Sequence, residues 1–190
     1  MGKNQTTSAI VDGLLKFLLF GGTISVAIVT PNAIIALDKP LQKALKKFDA
    51  RSRERELKRA LNYMKHKQLI SSSDYAHGIK ITSKGKKRVK EAEFNNLQIP
   101  RPNRWDKQWR IVFFDIPETE RQKRVALTIK LRSLGFHPLQ RSTWIFPFPC
   151  RLEIETVADK YKVGRYLTYI ETSHIDNEKV LRDLFSNVLD

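Results

Sequence analysis

One acidic residue, Asp115, lies in a run of apolar residues and could carry chemistry. The run is RIVFFDI, residues 110–116. A carboxylate inside a buried strand is costly unless it is paired or used. At a strand end it could bind Mg²⁺, and two copies meeting across a two-fold axis could hold one ion. The alternative is a structural carboxylate that caps the next helix or pairs with Arg110, Arg121 or Arg124.

Other catalytic patterns are absent from the sequence. It has no glycine-rich phosphate loop, and its four histidines lack zinc-ligand spacing. We therefore expect no required cofactor, and Mg²⁺ would be needed only if Asp115 served a metal-dependent endonuclease. Cys150, the one cysteine, is expected to be buried and inert. A lone cysteine cannot form an internal disulfide, so nothing indicates secretion and we expect a cytoplasmic protein. Three tryptophans could stack on nucleic-acid bases, but their apolar neighbours favour a place in the core: Trp105, Trp109 and Trp144.

The positive charge of the chain is concentrated in its front half. Residues 1–104 carry 21 Lys and Arg against 8 Asp and Glu, a net charge of +13, whereas residues 105–190 carry 14 against 12, a net charge of +2. An excess of this size attracts polyanions. Nucleic acid is the first candidate partner and an anionic membrane surface is the second. A solvated basic face without a partner is the third possibility.

A basic amphipathic helix is predicted over Arg51–Lys67, with Ser52 as its cap. Its apolar stripe is Leu57, Ala60, Leu61 and Met64. The charge pairs on its surface are mixed, since Glu54 and Lys58 attract whereas Arg55 and Arg59 repel. This repulsion favours a polyanion partner over a face stabilised by its own salt bridges. The basic residues predicted to bind DNA here are Arg51, Arg53, Arg55, Lys58, Arg59, Lys65 and Lys67.

A hairpin and a second basic helix are predicted to follow. Residues 68–72 and 78–82 can pair around a turn, and Thr82 can cap a helix over Lys84–Ala92. A helix, a hairpin and a basic helix form the layout of a winged helix, in which one helix enters the major groove and the hairpin contacts phosphates. We assign residues 8–92 to such a winged-helix-like domain. Its further DNA-binding residues are predicted to be Lys80, Lys84, Lys86, Lys87 and Arg88.

The start of the chain contains a long uncharged segment. Residues 17–37 carry no charge and are numerous enough to span a bilayer. Gly21-Gly22 and Pro31-Asn32 interrupt the segment, so we interpret it as parts of two buried helices, 8–19 and 23–37. A membrane-associated protein that uses residues 17–37 remains an alternative. A further helix is predicted over 40–48.

The second half predicts a different architecture after a proline-containing linker at residues 93–104. Apolar runs and turn residues predict strands at 110–116, 136–140, 143–148 and 165–171, with helices at 120–134 and 152–161 between them. This β-α-β-β-α-β order is that of a ferredoxin-like domain, assigned to residues 105–190 with a terminal helix at 176–189. The fold class is therefore α+β. Because such a small domain leaves a sheet edge or face to cover, we expect a homodimer. The apolar residues noted in the helix at 120–134 are Val125, Ala126, Ile129 and Leu134.

Two stretches of the second half resemble a known family. They are WDKQWRIVFFDIPETERQKR and LGFHPLQRSTWIFPFP, which are similar to the central domain of the PaaX-like phenylacetate-degradation repressors. The same region resembles the CRISPR-associated nuclease called Cas-two. The resemblance covers about residues 42–175 and is strongest over 105–150. The nuclease-like positions are Asp115, Ile116, Arg121, Arg124, Gln140 and Ser142, and the repressor-like positions are Gly135, Phe136, Trp144 and Pro147.

The resemblance implies a DNA-binding transcriptional regulator of PaaX-like type. In such a protein a winged helix binds double-stranded DNA, and the ferredoxin-like domain pairs two protomers. The nuclease likeness implies an alternative, a Mg²⁺-dependent nuclease that uses Asp115 from two protomers as the catalytic and metal-binding residue.

Overall fold

The computed structural model describes residues 3–20, 45–46, 48–72 and 79–189. The chain forms two compact units, Met1–Asn95 and Asn96–Asp190. The helix expected at 23–37 and most of the one expected at 40–48 lie outside the described residues, as does most of the uncharged segment 17–37. No helix among the described residues combines the length and apolar character that crossing a membrane requires.

The described residues of the first unit form three helices and one hairpin. These elements are α1 (Lys3–Leu19), α2 (Ala50–His66), β1 (Ile70–Ser72), β2 (Ile79–Ile81) and α3 (Ser83–Asn95). Helix α1 begins at Lys3, earlier than the predicted start at Ser8. The prediction began too late because apolar periodicity marks only the part of a helix that packs in the core. That part supplies Ile10, Leu14 and Leu15, which are buried with Leu57, Ala60 and Met64 of α2.

Helix α2 begins one residue earlier than expected because its cap is Asp49 rather than Ser52. The Asp49 carboxylate accepts a hydrogen bond from the Ser52 backbone N–H at 2.7 Å. This is the usual bond between a capping side chain and the third residue of the helix. The same bond is the main cause that lowers the pKa of Asp49. Either residue type can cap a helix, so the sequence alone left the choice open.

The hairpin and α3 follow the predicted order. Strands β1 and β2 are antiparallel, with Ile70 opposite Ile81. Thr82 caps α3 as predicted, because its hydroxyl oxygen accepts a hydrogen bond from the Gly85 N–H at 3.1 Å. The same hydroxyl donates to the Gln68 carbonyl at 2.8 Å, which ties the helix to the chain entering β1. Helix α3 continues to Asn95, so residues 93–95 of the expected linker are helical.

The second unit has a four-stranded antiparallel sheet. The elements of the predicted β-α-β-β-α-β order are β3 (Trp109–Phe114), α4 (Arg121–Ser133), β4 (His137–Gln140), β5 (Thr143–Phe146), α5 (Arg151–Tyr161) and β6 (Leu167–Thr172). The strands lie in the order β4-β5-β3-β6. Together the two units combine helices with antiparallel sheets, which agrees with the α+β class. The predicted terminal helix is divided into α6 (Glu178–Leu184) and α7 (Ser186–Leu189).

The buried side of α4 differs from the residues that the sequence singled out. Of the residues singled out, Leu134 is buried, whereas Val125 is 46% exposed and Ile129 is 62% exposed. The other buried leucines are Leu127 and Leu131, which were not singled out. Both sets recur at helical spacing, so periodicity alone could not choose between them. The stripe of leucines faces the core and leaves two apolar side chains in water.

The core of the second unit is rich in aromatic residues. Trp105, Trp109 and Trp144 are all buried, as predicted. The rings of Trp105 and Trp109 meet edge to face at 5.0 Å between centroids, and Phe185 lies 5.9 Å from Trp109. Cys150 is also buried, and desolvation raises the pKa of its thiol to about 12. The thiol therefore stays protonated and inert near neutral pH, as expected.

Candidate nucleic-acid interface

The exposed face of α2 is strongly basic. Leu57, Ala60 and Met64 are buried on one side. A rotation of about 100° per residue brings the remaining polar residues to the opposite side. They are Arg51, Arg55, Lys58, Arg59, Asn62, Lys65 and His66, and all are exposed. Asn62 and His66 are not among the residues predicted from the sequence to bind DNA, which are all Lys and Arg.

Several basic side chains of this face make only local contacts. Lys58 pairs with Glu54 at 2.7 Å, and Arg59 pairs with Glu56 at 2.6 Å. The hydrogen bond from Lys58 holds the pKa of Glu54 below its ordinary value. Exposed pairs of this kind contribute little to stability. Their Lys and Arg side chains can therefore turn to a phosphate at small cost.

Arg53 differs from the other residues predicted to bind DNA. Its side chain is partly buried, and its guanidinium donates to the carbonyl oxygens of Leu45 and Phe48 at 3.3 and 3.1 Å. These bonds fasten the start of α2 to the chain that precedes it. The structure therefore gives Arg53 a stabilising role and does not place it on the exposed face.

Arg88 also contributes to the fold of the first unit. Its Nε donates to the Asp12 carboxylate at 2.7 Å, and its other nitrogens donate to Ser8 at 3.2 Å and to the Tyr63 hydroxyl at 3.4 Å. Burial alone would lower the pKa of Arg88, but the bonds to Asp12 and Tyr63 outweigh it and raise the pKa. Arg88 thus joins α3 to α1 and α2, a role that the basic run around it does not reveal.

The remaining basic residues predicted for the interface are exposed. Lys67 follows the end of α2, Lys80 lies on β2, and the others lie on the first turns of α3: Lys84, Lys86 and Lys87. Lys90, further along α3, is exposed too and was not among the predicted residues. The structure thus leaves ten of the twelve predicted side chains in water, with Arg53 and Arg88 as the exceptions.

Asp115 lies just beyond β3 and is exposed. Its backbone N–H donates to the Tyr166 carbonyl at 3.0 Å, which continues the pairing of β3 with β6. Among the residues that the structure describes, none forms an ion pair or hydrogen bond with its carboxylate. The strand ends before Asp115, so its charge lies in water and does not require a partner.

The structural partners expected for Asp115 are engaged elsewhere. Arg110, 3% exposed, forms a two-pronged ion pair with Asp106 and also donates to the Pro147 carbonyl at 2.8 Å. Arg124 pairs with Glu118 at 2.6 Å, and Arg121 lies 3.7 Å from the same carboxylate. The expected pairing of Asp115 with these arginines is therefore wrong. The prediction that Asp115 caps the next helix is wrong as well. The residue at the N-cap of α4 is Glu120, and it makes no side-chain capping bond.

A metal site is not assembled around Asp115 within one chain. Across the described ranges, no group of three or more His, Cys, Asp and Glu side chains is placed to hold a metal. Asp115 offers a single carboxylate, which is thin coordination for Mg²⁺. The nearby acids Glu118 and Glu120 are already paired with Arg124, Arg165 and other basic side chains.

The second unit matches a known protein family. Residues 102–182 match the family model of the PaaX protein central Cas2-like domain. This segment is similar to the central domain of PaaX-type proteins. The match confirms the resemblance over its strongest part, around β3 and the β4–β5 hairpin, and it extends through β6 into α6. The part of the resemblance before residue 102 lies outside the match. No curated protein matches the chain.

Proposed function

We propose that the protein is a DNA-binding transcriptional regulator of PaaX-like type. The observation that carries the proposal is the exposed basic face of α2, followed directly by a hairpin, in a chain whose second unit is similar to the central domain of PaaX-type proteins. A regulator needs a surface that attracts phosphates and a helix that can enter a groove. The proposed function requires no cofactor.

The first unit would bind double-stranded DNA as a winged helix. The order α2, β1, β2, α3 supports this assignment, with α2 in the major groove and the hairpin against the sugar-phosphate backbone. Lys80 on the exposed side of β2 would contact phosphate there. Helix α2 is 17 residues long, or about 25 Å at 1.5 Å per residue, which is long enough to follow the groove past several base pairs.

The second unit would form the dimer as a ferredoxin-like domain. In order of appearance its strands lie 2-3-1-4 across the sheet, and this arrangement supports a ferredoxin-like assignment. Helix α5 packs on one face of the sheet, where the Arg151 guanidinium lies 4.5 Å from the centroid of the Tyr169 ring. On the opposite face Phe113 is 39% exposed and Ile170 is 42% exposed. A second copy of the chain would remove these apolar side chains from water.

The experiment that tests the proposal is duplex binding by the full chain, followed by fluorescence anisotropy. Replacing Arg51, Arg55 and Lys65 together with Ala should weaken binding on the order of 100-fold at about 0.1 M salt, because three phosphate contacts disappear. A matched control replaces Lys107, Lys160 and Lys179, which are exposed in the second unit. Equal losses in the two triple variants would mean that α2 is not the DNA-binding surface.

Metal-dependent cleavage is not part of the proposal. Among the described residues of one chain, no group of three or more His, Cys, Asp and Glu side chains is placed to hold a metal with Asp115. A regulator that cut its own binding site would also destroy the signal that it reads. Duplex binding alone accounts for the surface features of the first unit.

A further inference from the structure

We propose that Asn62 reads the base sequence of the bound duplex by hydrogen bonding to an adenine in the major groove. The inference rests on the proposed function and adds to it a residue that determines specificity. It assigns different roles to the residues of one helix face: Asn62 to a base edge, and the Lys and Arg side chains around it to phosphates.

Asn62 lies at the centre of the exposed face of α2. At about 100° per residue it is turned roughly 140–160° away from the buried residues Leu57, Ala60 and Met64. A helix that enters a groove with its buried side against its own domain therefore turns Asn62, like Arg55 seven residues before it, towards the bases. A short side chain such as that of asparagine can reach a base edge only from the side of the helix that faces the floor of the groove.

The neighbours of Asn62 on the helix surface are all basic. Positions three and four residues away along a helix are adjacent, and here they hold Lys58, Arg59, Lys65 and His66. Lys58 and Lys65 flank Asn62 on one side, and Arg59 and His66 flank it on the other. A groove has a phosphate backbone along each of its walls, so a neutral central residue between two basic borders matches its cross-section.

No structural role accounts for an asparagine at this position. Asparagine is a poor helix former because its side chain competes for backbone groups. Among the described residues, none forms a hydrogen bond with the Asn62 carboxamide, and the side chain is exposed. The residue therefore neither caps the helix nor packs in the core, and its amide has both a donor and an acceptor available to a ligand.

The chemistry of the carboxamide selects one base. Adenine presents the N7 acceptor and the N6 amino donor side by side in the major groove. The Asn62 Nδ2 can donate to N7 while its Oδ1 accepts from N6. Guanine offers two acceptors at these positions and cannot satisfy the Oδ1 acceptor. The inferred contact is thus specific for adenine rather than for any purine.

The test begins with selection of preferred duplexes from a random-sequence pool by the full chain. Binding is then measured on the selected duplex and on its single-base variants, for wild type, Asn62→Ala and Lys65→Ala. Wild type should favour adenine at one position by roughly ten- to hundredfold. Asn62→Ala should lose this preference, whereas Lys65→Ala should weaken binding to all four bases equally. Alanine favours the helix, so the Asn62 variant is expected to fold, as circular dichroism would verify.

A modified base isolates the atom that is read. Replacing the selected adenine by 7-deazaadenine removes the N7 acceptor and should weaken wild type about tenfold or more, while leaving Asn62→Ala unaffected. Unchanged base preferences in Asn62→Ala would overturn this inference and leave the proposed function standing. Absence of any salt-sensitive duplex binding by wild type would overturn the proposed function and this inference with it.

Discussion

At the scale of single residues, the structure separates charged side chains that hold the fold from those that face water. Arg53 and Arg88 lie in strongly basic stretches of sequence, yet each is fixed by partners in its own unit. Asp115 shows the converse case. It follows an apolar strand, so the sequence suggests that its carboxylate is buried at a cost in free energy. In the structure it lies beyond the end of the strand and is exposed to water.

The exposed position of Asp115 predicts that Asp115→Asn is nearly silent. The free energy of unfolding should change by less than about 0.5 kcal/mol, because no partner is lost. The comparison variant is Asp106→Asn, which weakens the ion pair of buried Arg110 and should cost about 1–3 kcal/mol. Urea unfolding measures both variants.

The same Asp115 variant tests the alternative of a nuclease. Wild type and Asp115→Asn are incubated with single- and double-stranded nucleic acids in Mg²⁺, Mn²⁺ or chelator. We expect neither protein to cleave. Metal-dependent cleavage by wild type that disappears in the folded variant would make the enzyme the better account of the second unit.

At the scale of elements, the start of α3 depends on one glycine. A Cβ at Gly85 would lie 2.2 Å from the Leu69 carbonyl oxygen and 2.7 Å from a side-chain carbon of Ile81. The helix can therefore approach the base of the hairpin only if this position has no side chain. The close contact couples α3 to the hairpin that is proposed to touch DNA.

Gly85→Ala should destabilise the first unit by about 1–3 kcal/mol, because backbone atoms must move to admit the methyl group. Gly164→Ala is the matched control, since nothing lies within 4 Å of a Cβ at that position. Urea unfolding followed by circular dichroism compares the two variants. Equal midpoints for Gly85→Ala and wild type would show that the packing of α3 on the hairpin is looser than described.

The elements also show how far the sequence could predict the structure. Helix α2 and the hairpin were predicted well because α2 has a single apolar stripe and the turn residues mark the hairpin. Helix α4 has two candidate stripes, so its exposed residues Val125 and Ile129 emerged only from the structure. The role of Arg88 depends on Asp12, 76 residues away in sequence. No local sequence pattern could reveal that pairing. Arg88 was therefore predicted to bind DNA, although its side chain is bonded within its own unit.

At the scale of the whole molecule, the positive charge is concentrated in the first unit. Residues 1–95 carry 19 basic against 8 acidic residues, a net charge of +11, and residues 96–190 carry 16 against 12, a net charge of +4. The second unit exposes Phe113 and Ile170 on one sheet face. This division fits a regulator with one unit for nucleic acid and another for self-association.

We predict that the full chain forms a two-fold dimer through that sheet face. Phe113→Glu combined with Ile170→Glu should convert the dimer to monomer at tens of micromolar protein (roughly, from the arithmetic of dissociation constants), because charges would be buried in the interface. Leu152→Glu is the control, since Leu152 is 74% exposed on α5, the helix on the other side of the sheet. Light scattering decides the matter, and a monomeric wild type would exclude the dimer.

The salt dependence of duplex binding tests the central claim most directly. If α2 and the hairpin neutralise about six phosphates, the logarithm of the binding constant should fall against the logarithm of salt concentration with a slope of about −5. The measurement uses the full wild-type chain and one duplex between roughly 50 and 200 mM salt. A slope near −5 is the predicted result. A slope near zero, or no binding at the lowest salt concentration, would contradict the assignment of the first unit to DNA.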